Sequence, residues 1–372
     1  MAPPTQAEKK DIARRFLSDE AAKEPEKHEV FFKHYEASIE GSTGGYVVRV
    51  GTPVYSSHAE VISFFNKLIG NVMQTKADFS SLFATNVAAE ARDHAIQALL
   101  KASLMIDCAS KQNLPEGRRV GDYVPRTWSE KQSFANFVER CFPSSSQSRK
   151  VRQESQAALA QRGRLKAWKL KERYKVRLRP TDNLAEHLVF DPERRILHVF
   201  RQVGFLKAHL SRSRDEDIDL GFRKSLEKGT LPPQLLLEVL DSIQYLLFPN
   251  DGRSFKSLDK FTEKYGFDPK ATYFEKHIRT LPDEFEYKYL GDRLATLLRI
   301  VNHPPPANSI VAWFERHTSE RNALTVAILG LFLTALLGFL SLLVGIVAVA
   351  YSILQYNVAV KALQASPISS ST

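Results

Sequence analysis

The chain has 372 residues, 43% hydrophobic and 25% charged, enough to bury a core in one large domain or two ordinary ones. Its two cysteines, Cys108 and Cys141, form no C-x-x-C pair and exclude an oxidised disulfide framework; a reducing compartment is expected, with each thiol acting as a small buried hydrophobe. The net charge of +10 and the mean hydropathy of −0.27 average two unlike parts, a polar body and one very apolar segment.

The opening, MAPPTQAEKKDIARRF, lacks the apolar stretch of a signal peptide, and Glu8 and Asp11 argue against a mitochondrial presequence. No Asn-x-Ser/Thr sequon occurs, in keeping with a cytosolic body. Residues 1–40 alternate in charge and read as an exposed helix or partly disordered arm. GSTGGYVVRVGTPVY follows, where Gly41, Gly44, Gly45 and Gly51 punctuate a short strand. It has neither the dinucleotide nor the Walker glycine spacing, so a turn is preferred to a phosphate loop.

Three stretches then carry helical stripes. They are Val61, Phe64, Phe65 and Leu68; Ile96, Leu99, Leu100 and Met105 or Ile106; and Phe134, Phe137, Val138 and Cys141. All read as core rather than ligand pocket. PSSSQS, Pro143 to Ser148, reads as a linker, with serines whose phosphorylation would add negative charge.

Residues 149–179 hold twelve Lys or Arg against Glu154 and Glu172, a local excess equal to the net charge of the whole protein. A solvated helical face, contact with an anionic leaflet and nucleic-acid binding compete for this segment. Trp168 and Tyr174 are too few to stack bases, so nucleic acid ranks last. The candidate lipid contacts are Arg149, Lys150, Arg152, Arg162, Arg164, Lys166, Lys169 and Lys171.

YKVRLRP alternates like a half-buried strand, and NLAEHLVF and ILHVF read as two strands around an Asp-Pro turn, together a small antiparallel sheet. Val203, Phe205, Leu206 and Leu210 begin a helix, and SRSRDEDID is an exposed acidic loop that could face the basic segment. LPPQLLLEVLDSIQYLLFP is the strongest helix of the body. Pro232 and Pro233 suit its first turn, and Leu235, Leu236, Val239, Ile243, Leu246 and Leu247 face inward. A further helix turns Leu290, Leu294, Leu297, Leu298 and Val301 inward before the stiff Pro304–Pro306 spacer.

Between Arg321 and Lys361 lie 39 residues without a charge. A membrane span needs about 20 apolar residues for a core of about 30 Å, so one tilted transmembrane helix over 323–354 is expected. Arg299, Arg316 and Arg321 precede it and only Lys361 follows, which keeps the body cytosolic and sends the tail across. Tyr351 and Tyr356 suit the far interface, and Trp313 and Phe314 the near one. Such a late anchor with a short tail is that of a tail-anchored protein. The tail is only weakly basic and the span long, which favours the secretory pathway or plasma membrane over mitochondria. Ala327, Gly330, Thr334, Gly338, Ser341, Gly345, Ala348 and Ser352 follow steps of three and four, a small-residue stripe along which a partner helix could pack.

No zinc, metalloprotease, nucleophile-elbow or kinase motif occurs among the ten histidines and their surroundings. His187 and His198 could meet across the expected hairpin, a structural rather than metal-binding proximity. No catalytic, cofactor-binding or metal residue is assigned, and no cofactor is expected.

Several segments together resemble a family of uncharacterised single-span membrane proteins from filamentous fungi. They are ALLKASLMIDCAS, TWSEKQSFANFVERCFP, TDNLAEHLVFDPERRILHVFRQVGFLKAHL, LPPQLLLEVLDSIQYLLFP, YLGDRLATLLRIVNHPPP and GLFLTALLGFLSLLVGIV, between about residues 88 and 355. The resemblance implies a mainly helical cytosolic domain with a C-terminal anchor and carries no activity.

The expected fold is mainly α: a helical cytosolic domain with a small antiparallel β-sheet, plus one C-terminal transmembrane helix. Its regions are a mainly helical 1–142, a Ser-rich linker and basic helix at 143–172, a small sheet plus helices at 173–303, a Pro-rich spacer and juxtamembrane segment at 304–322, the span at 323–354 and a tail at 355–372. The expected function is that of a non-enzymatic, membrane-anchored interaction or scaffold protein. Its expected partners are the lipid bilayer and, through the span, a second copy or another membrane protein. The alternatives are an accessory enzyme held at a membrane and a nucleic-acid-binding protein.

Overall fold

The computed structural model describes residues 1–40, 55–108, 123–144, 148–274, 285–303 and 323–365. The turn and strand expected within 41–54, the serines 145–147, the Pro304–Pro306 spacer, the juxtamembrane Trp313 and Phe314, and the residues beyond 365 lie outside these. Two compact units divide the chain, Met1–Pro304 and Pro305–Thr372.

The charged N-terminal arm belongs to the core. Thr5 and Glu8 close a capping box that starts α1 (Gln6–Phe16), and Ser18 caps α2 (Asp19–Lys23). Ile12 and Phe16 on α1, and Phe31, Phe32 and Tyr35 on α3 (Glu29–Glu40), are almost fully buried. The dense charge of this stretch masks a stripe at helical spacing, which is why it reads as exposed. Long-range bonds fasten it: His209 Nε2 lies 2.8 Å from the Phe16 carbonyl, and Arg212 Nη1 donates to the Arg15 carbonyl at 2.9 Å.

Three of the next four helices follow predicted stripes. Ser57 caps α4 (His58–Gly70), and Thr75 with Asp78 makes a second capping box on α5 (Lys76–Ser80). α6 (Ala89–Leu104) ends at Met105, whose φ of 56° turns the chain out of the helix, and Ser133 caps α7 (Phe134–Cys141). The inward residues of all three predicted stripes are buried. Aromatic rings fill the space between these helices: Phe64 stacks on Phe83 at 4.3 Å and Trp128 on Phe137 at 5.9 Å.

The basic segment folds into α8 (Arg149–Ala160), α9 (Ala167–Tyr174) and the edge strand β1 (Arg177–Thr181). β1 runs parallel to β3 (Ile196–Phe200), and the two-residue β2 (Phe190–Asp191) pairs antiparallel on the other side of β3. The sheet is therefore small, as expected, but mixed rather than purely antiparallel. Most of NLAEHLVF is a 3-10 turn and coil, because Asn183 caps Ala185 with its side chain and Leu188 takes a φ of 57°. Only Phe190 and Asp191 remain to pair. Asp191 Oδ1 then accepts from Glu193 N and Arg194 N and shapes the Asp-Pro turn.

α10 (Val203–Arg212), α11 (Phe222–Glu227) and α12 (Pro233–Asp241) complete the centre of the body. α12 runs on into a wider π turn, Ser242–Leu247, and is buried around its whole circumference, polar residues included. Its predicted inward leucines, valine and isoleucine are all buried. α13 (Gly252–Tyr265) starts on an Asp251 cap and stops at Gly266, whose φ of 62° suits a residue without a Cβ. α14 (Gly291–Asn302) places Leu290, Leu294, Leu297, Leu298 and Val301 in the core and packs along α8. Outside this body, α15 (Ala323–Ala365) is one uninterrupted helix of 43 residues.

Candidate functional site

Three features of this architecture bear on function, the first being α15. Its stretch Gly330–Ala362, 33 residues whose most apolar 18-residue window has a mean hydropathy of 2.6, is long and apolar enough to cross a membrane, and none of that window is buried within the structure. The helix continues past the expected end at residue 354, because Leu354 to Ala365 contains no Pro or Gly to stop it. Thirty-three residues rise about 50 Å, more than a hydrocarbon core of about 30 Å and close to a whole bilayer with its headgroups. At about 100° per residue the small-residue stripe from Ala327 to Ser352 occupies an arc of about 80° on this helix. An added Cβ would meet nothing within 4 Å at Gly330, Gly338 or Gly345. Thr334 and Ser352 donate to the carbonyls of Gly330 and Ala348, each at 2.9 Å, so their hydroxyls are satisfied inside the helix. The stripe thus offers close approach rather than polar contacts.

The basic segment is the second feature. Four of its eight candidate lipid contacts are tied into the body. Arg152 lies 3.4 Å from Glu286, Arg162 3.7 Å from Asp241 and Lys166 2.9 Å from Asp251. Arg164 donates to Asn302 Oδ1 at 2.9 Å and to the Val301 carbonyl at 2.8 Å, capping the C-terminus of α14. Lys169 donates to the Gly163 carbonyl at 2.5 Å. Arg149, Lys150 and Lys171 are exposed and have no ion-pair partner among the described residues. The acidic loop does not answer this segment: Glu216 pairs with Lys228, and Asp219 lies 3.6 Å from Lys288.

The third feature is a polar cleft of about 520 Å³ that sequence reasoning missed. Four separated segments build it: the end of α3, the turn after α6, the end of β1 with the 3-10 turn that follows, and Arg201 beyond β3. Asp182 sits at its centre. Arg201 donates to both carboxylate oxygens at 2.6 Å and Gln202 to one of them at 2.7 Å. Burial alone would raise this carboxyl, but the hydrogen bonds and charges of His34 and Arg201 outweigh it and hold Asp182 well below the usual carboxylate range. Lys101 pairs with Asp107 at 3.2 Å, and Glu186 accepts from Thr181 at 2.7 Å and from Asn183 at 3.2 Å. The positive and negative walls of the cleft neutralise each other.

Within the cleft Ser38 Oγ lies 3.4 Å from His34 Nε2, and His34 Nδ1 lies 3.6 Å from Asp182. The order of contacts matches a serine–histidine–aspartate relay. Its chemistry does not. His34 Nε2 faces the Lys101 carbonyl at 3.0 Å, which requires a proton on that nitrogen and leaves no lone pair for Ser38. Ser38 and His34 stand one helical turn apart on α3, a spacing that brings them together without any catalytic purpose. The cleft can hold a small polar molecule; its paired groups are not poised to activate one.

The two histidines of the expected hairpin do not meet as ligands. His187 is buried, 2.6 Å from Ser242 Oγ, and accepts from Phe200 N at 3.1 Å, while His198 lies 3.8 Å from Glu186. Among the described residues no group of three or more His, Cys, Asp or Glu side chains is arranged to hold a metal ion. Cys108 and Cys141 are free, and burial pushes the Cys141 thiol up to about 12.

The fold and these features together define a mainly helical body followed by one apolar helix of membrane-crossing length. Compared with known proteins, the chain matches no protein family, no curated protein and no solved structure.

Proposed function

We propose that the protein is a single-pass, membrane-anchored interaction or scaffold protein whose helical body stands at the cytosolic face and whose span self-associates or docks to another membrane helix. The supporting observation is α15, whose apolar side chains are exposed on every face over Gly330–Ala362. Water would have to solvate that whole circumference, whereas a bilayer covers it without cost to the backbone, whose hydrogen bonds are all internal. The basic flank at Arg299, Arg316 and Arg321 supports the orientation, and the span length a secretory or plasma membrane. Membership of the fungal single-span family is part of the proposal and adds no activity to it. Protease protection in microsomes tests the topology: a tag before Met1 should be digested and one after Thr372 spared. Protection of the first tag, or digestion of both, would overturn the assignment.

The cleft favours a second reading, a pathway component that binds a small polar molecule at the membrane. Its ionised groups line the cavity in pairs, which suits a ligand carrying both donors and acceptors.

A further inference from the structure

The outer face of α9 and α13 carries more positive charge than its own ion pairs use. Arg253, Lys256, Lys260 and Lys264 recur along α13 at steps of three, four and four, which aligns them over about 16 Å of one helix face. All four are exposed, while Ser254, Leu258 and Phe261 on the other side hold the helix to the core. The row begins against α9: Arg253 stacks 3.9 Å from the Trp168 ring centroid and lies 2.7 Å from Glu172. α9 extends the positive surface with Lys171 and Arg173 and with Lys175, whose φ of 54° ends the helix. Across residues 166–175 and 251–265, nine basic side chains meet four acidic ones. Two of those acids, Glu172 and Asp251, are engaged in joining the two helices. Lys171, Arg173, Lys175, Lys256 and Lys260 have no ion-pair partner among the described residues.

We propose that this α9–α13 face is an electrostatic contact for an anionic lipid leaflet, a second attachment beside the apolar helix. The inference rests on the anchoring reading above. Arg164, just before α9, bonds Val301 and Asn302 at the end of α14, so α9 begins close to the last described residues of the body. Residues 304–322, which follow, span at most about 65 Å, so the anchor keeps the body within reach of headgroups. Lysine-rich helix faces suit a leaflet, which is recognised by charge rather than by fixed geometry. A polynucleotide strand would need free aromatic faces to stack on, and here the Trp168 ring is covered by Arg253.

The test uses the full chain in nanodiscs of phosphatidylcholine alone or mixed with phosphatidylserine, read by amide hydrogen exchange over residues 167–175 and 252–265. Phosphatidylserine should slow exchange there severalfold. The variant Lys256→Gln/Lys260→Gln/Lys264→Gln, which touches only exposed side chains, should remove the difference while α10 and α12 keep their protection. Each charge removed is expected to weaken the contact about fivefold. Equal exchange in both lipids overturns the proposal while leaving the anchor intact; failure to enter nanodiscs at all overturns the anchor instead. Protection by an added RNA oligonucleotide in neutral discs, without any response to phosphatidylserine, would assign the face to a polynucleotide and overturn the leaflet contact.

Discussion

Gly204→Ala is a sharp test of how the body is assembled. Gly204 sits in the first turn of α10, where its amide donates to Asp268 Oδ2 at 2.5 Å. A Cβ at this position would lie 2.9 Å from that same oxygen and 3.0 Å from Lys270 Cδ. The lysine can move, but Asp268 cannot swing away cheaply: its other oxygen accepts from Lys270 N at 2.9 Å, and the residue is buried. Relief of the overlap therefore stretches or breaks a buried amide–carboxylate bond, a loss of about 1.5–3 kcal/mol. Alanine returns about 1 kcal/mol of helix propensity. The net expectation is a destabilisation of about 0.5–2 kcal/mol and a fall of about 1–3 degrees in Tm. Thermal unfolding of the full chain in detergent, followed by circular dichroism, measures it. A variant as stable as the parent, or more so, would refute the close approach of α10 to the Asp268 turn.

Other outcomes follow from the same geometry. Glu238 accepts from Lys288 N, Tyr289 N, Leu290 N and Gln234 Nε2, and burial nonetheless pushes its carboxyl from 4.5 up to about 7. A carboxyl raised on folding binds its proton more tightly in the native state, so its stabilisation is present at acid pH and is lost as pH rises through about 7. Chemical denaturation of the parent and Glu238→Gln from pH 4 to 8 should show the parent losing about 3 kcal/mol relative to the variant, and a widening gap in the parent's favour would contradict this. Arg164→Ala should cost about 1 kcal/mol and speed amide exchange in the last turn of α14; unchanged exchange there would remove its capping role. Gly338→Leu with Gly345→Leu should weaken self-association in a membrane two-hybrid assay, because the stripe that admits a close partner is filled. Undiminished association would count against the stripe.

Long apolar periodicities made most of the body legible in sequence. The stripes of α4, α6, α7, α12 and α14 were readable because each carries its large buried side chains at helical spacing. Short or charge-masked stripes were not. Ile12 and Phe16 lie among lysines and arginines, although the Thr5–Glu8 capping signal marks their helix. The helix Gly252–Tyr265 went unread despite its Asp251 cap and Gly266 stop, since only Leu258 and Phe261 mark its large apolar side. The parallel pairing of β1 with β3 depends on a chain that crosses the sheet, a tertiary outcome that alternation within one strand does not encode. The cleft was invisible for the same reason: His34, Lys101, Asp182 and Arg201 are far apart in sequence, and no short motif announces their convergence. The basic run, by contrast, was conspicuous, yet only the fold separates Arg164, which caps a helix, from Lys171, which faces solvent.

Alkaline carbonate extraction of cell membranes, comparing the full chain with one lacking residues 323–365, bears most directly on the anchoring claim. The full chain should stay in the pellet until detergent is added, and the shortened one should move to the supernatant. Release of the full chain by carbonate alone would contradict the account.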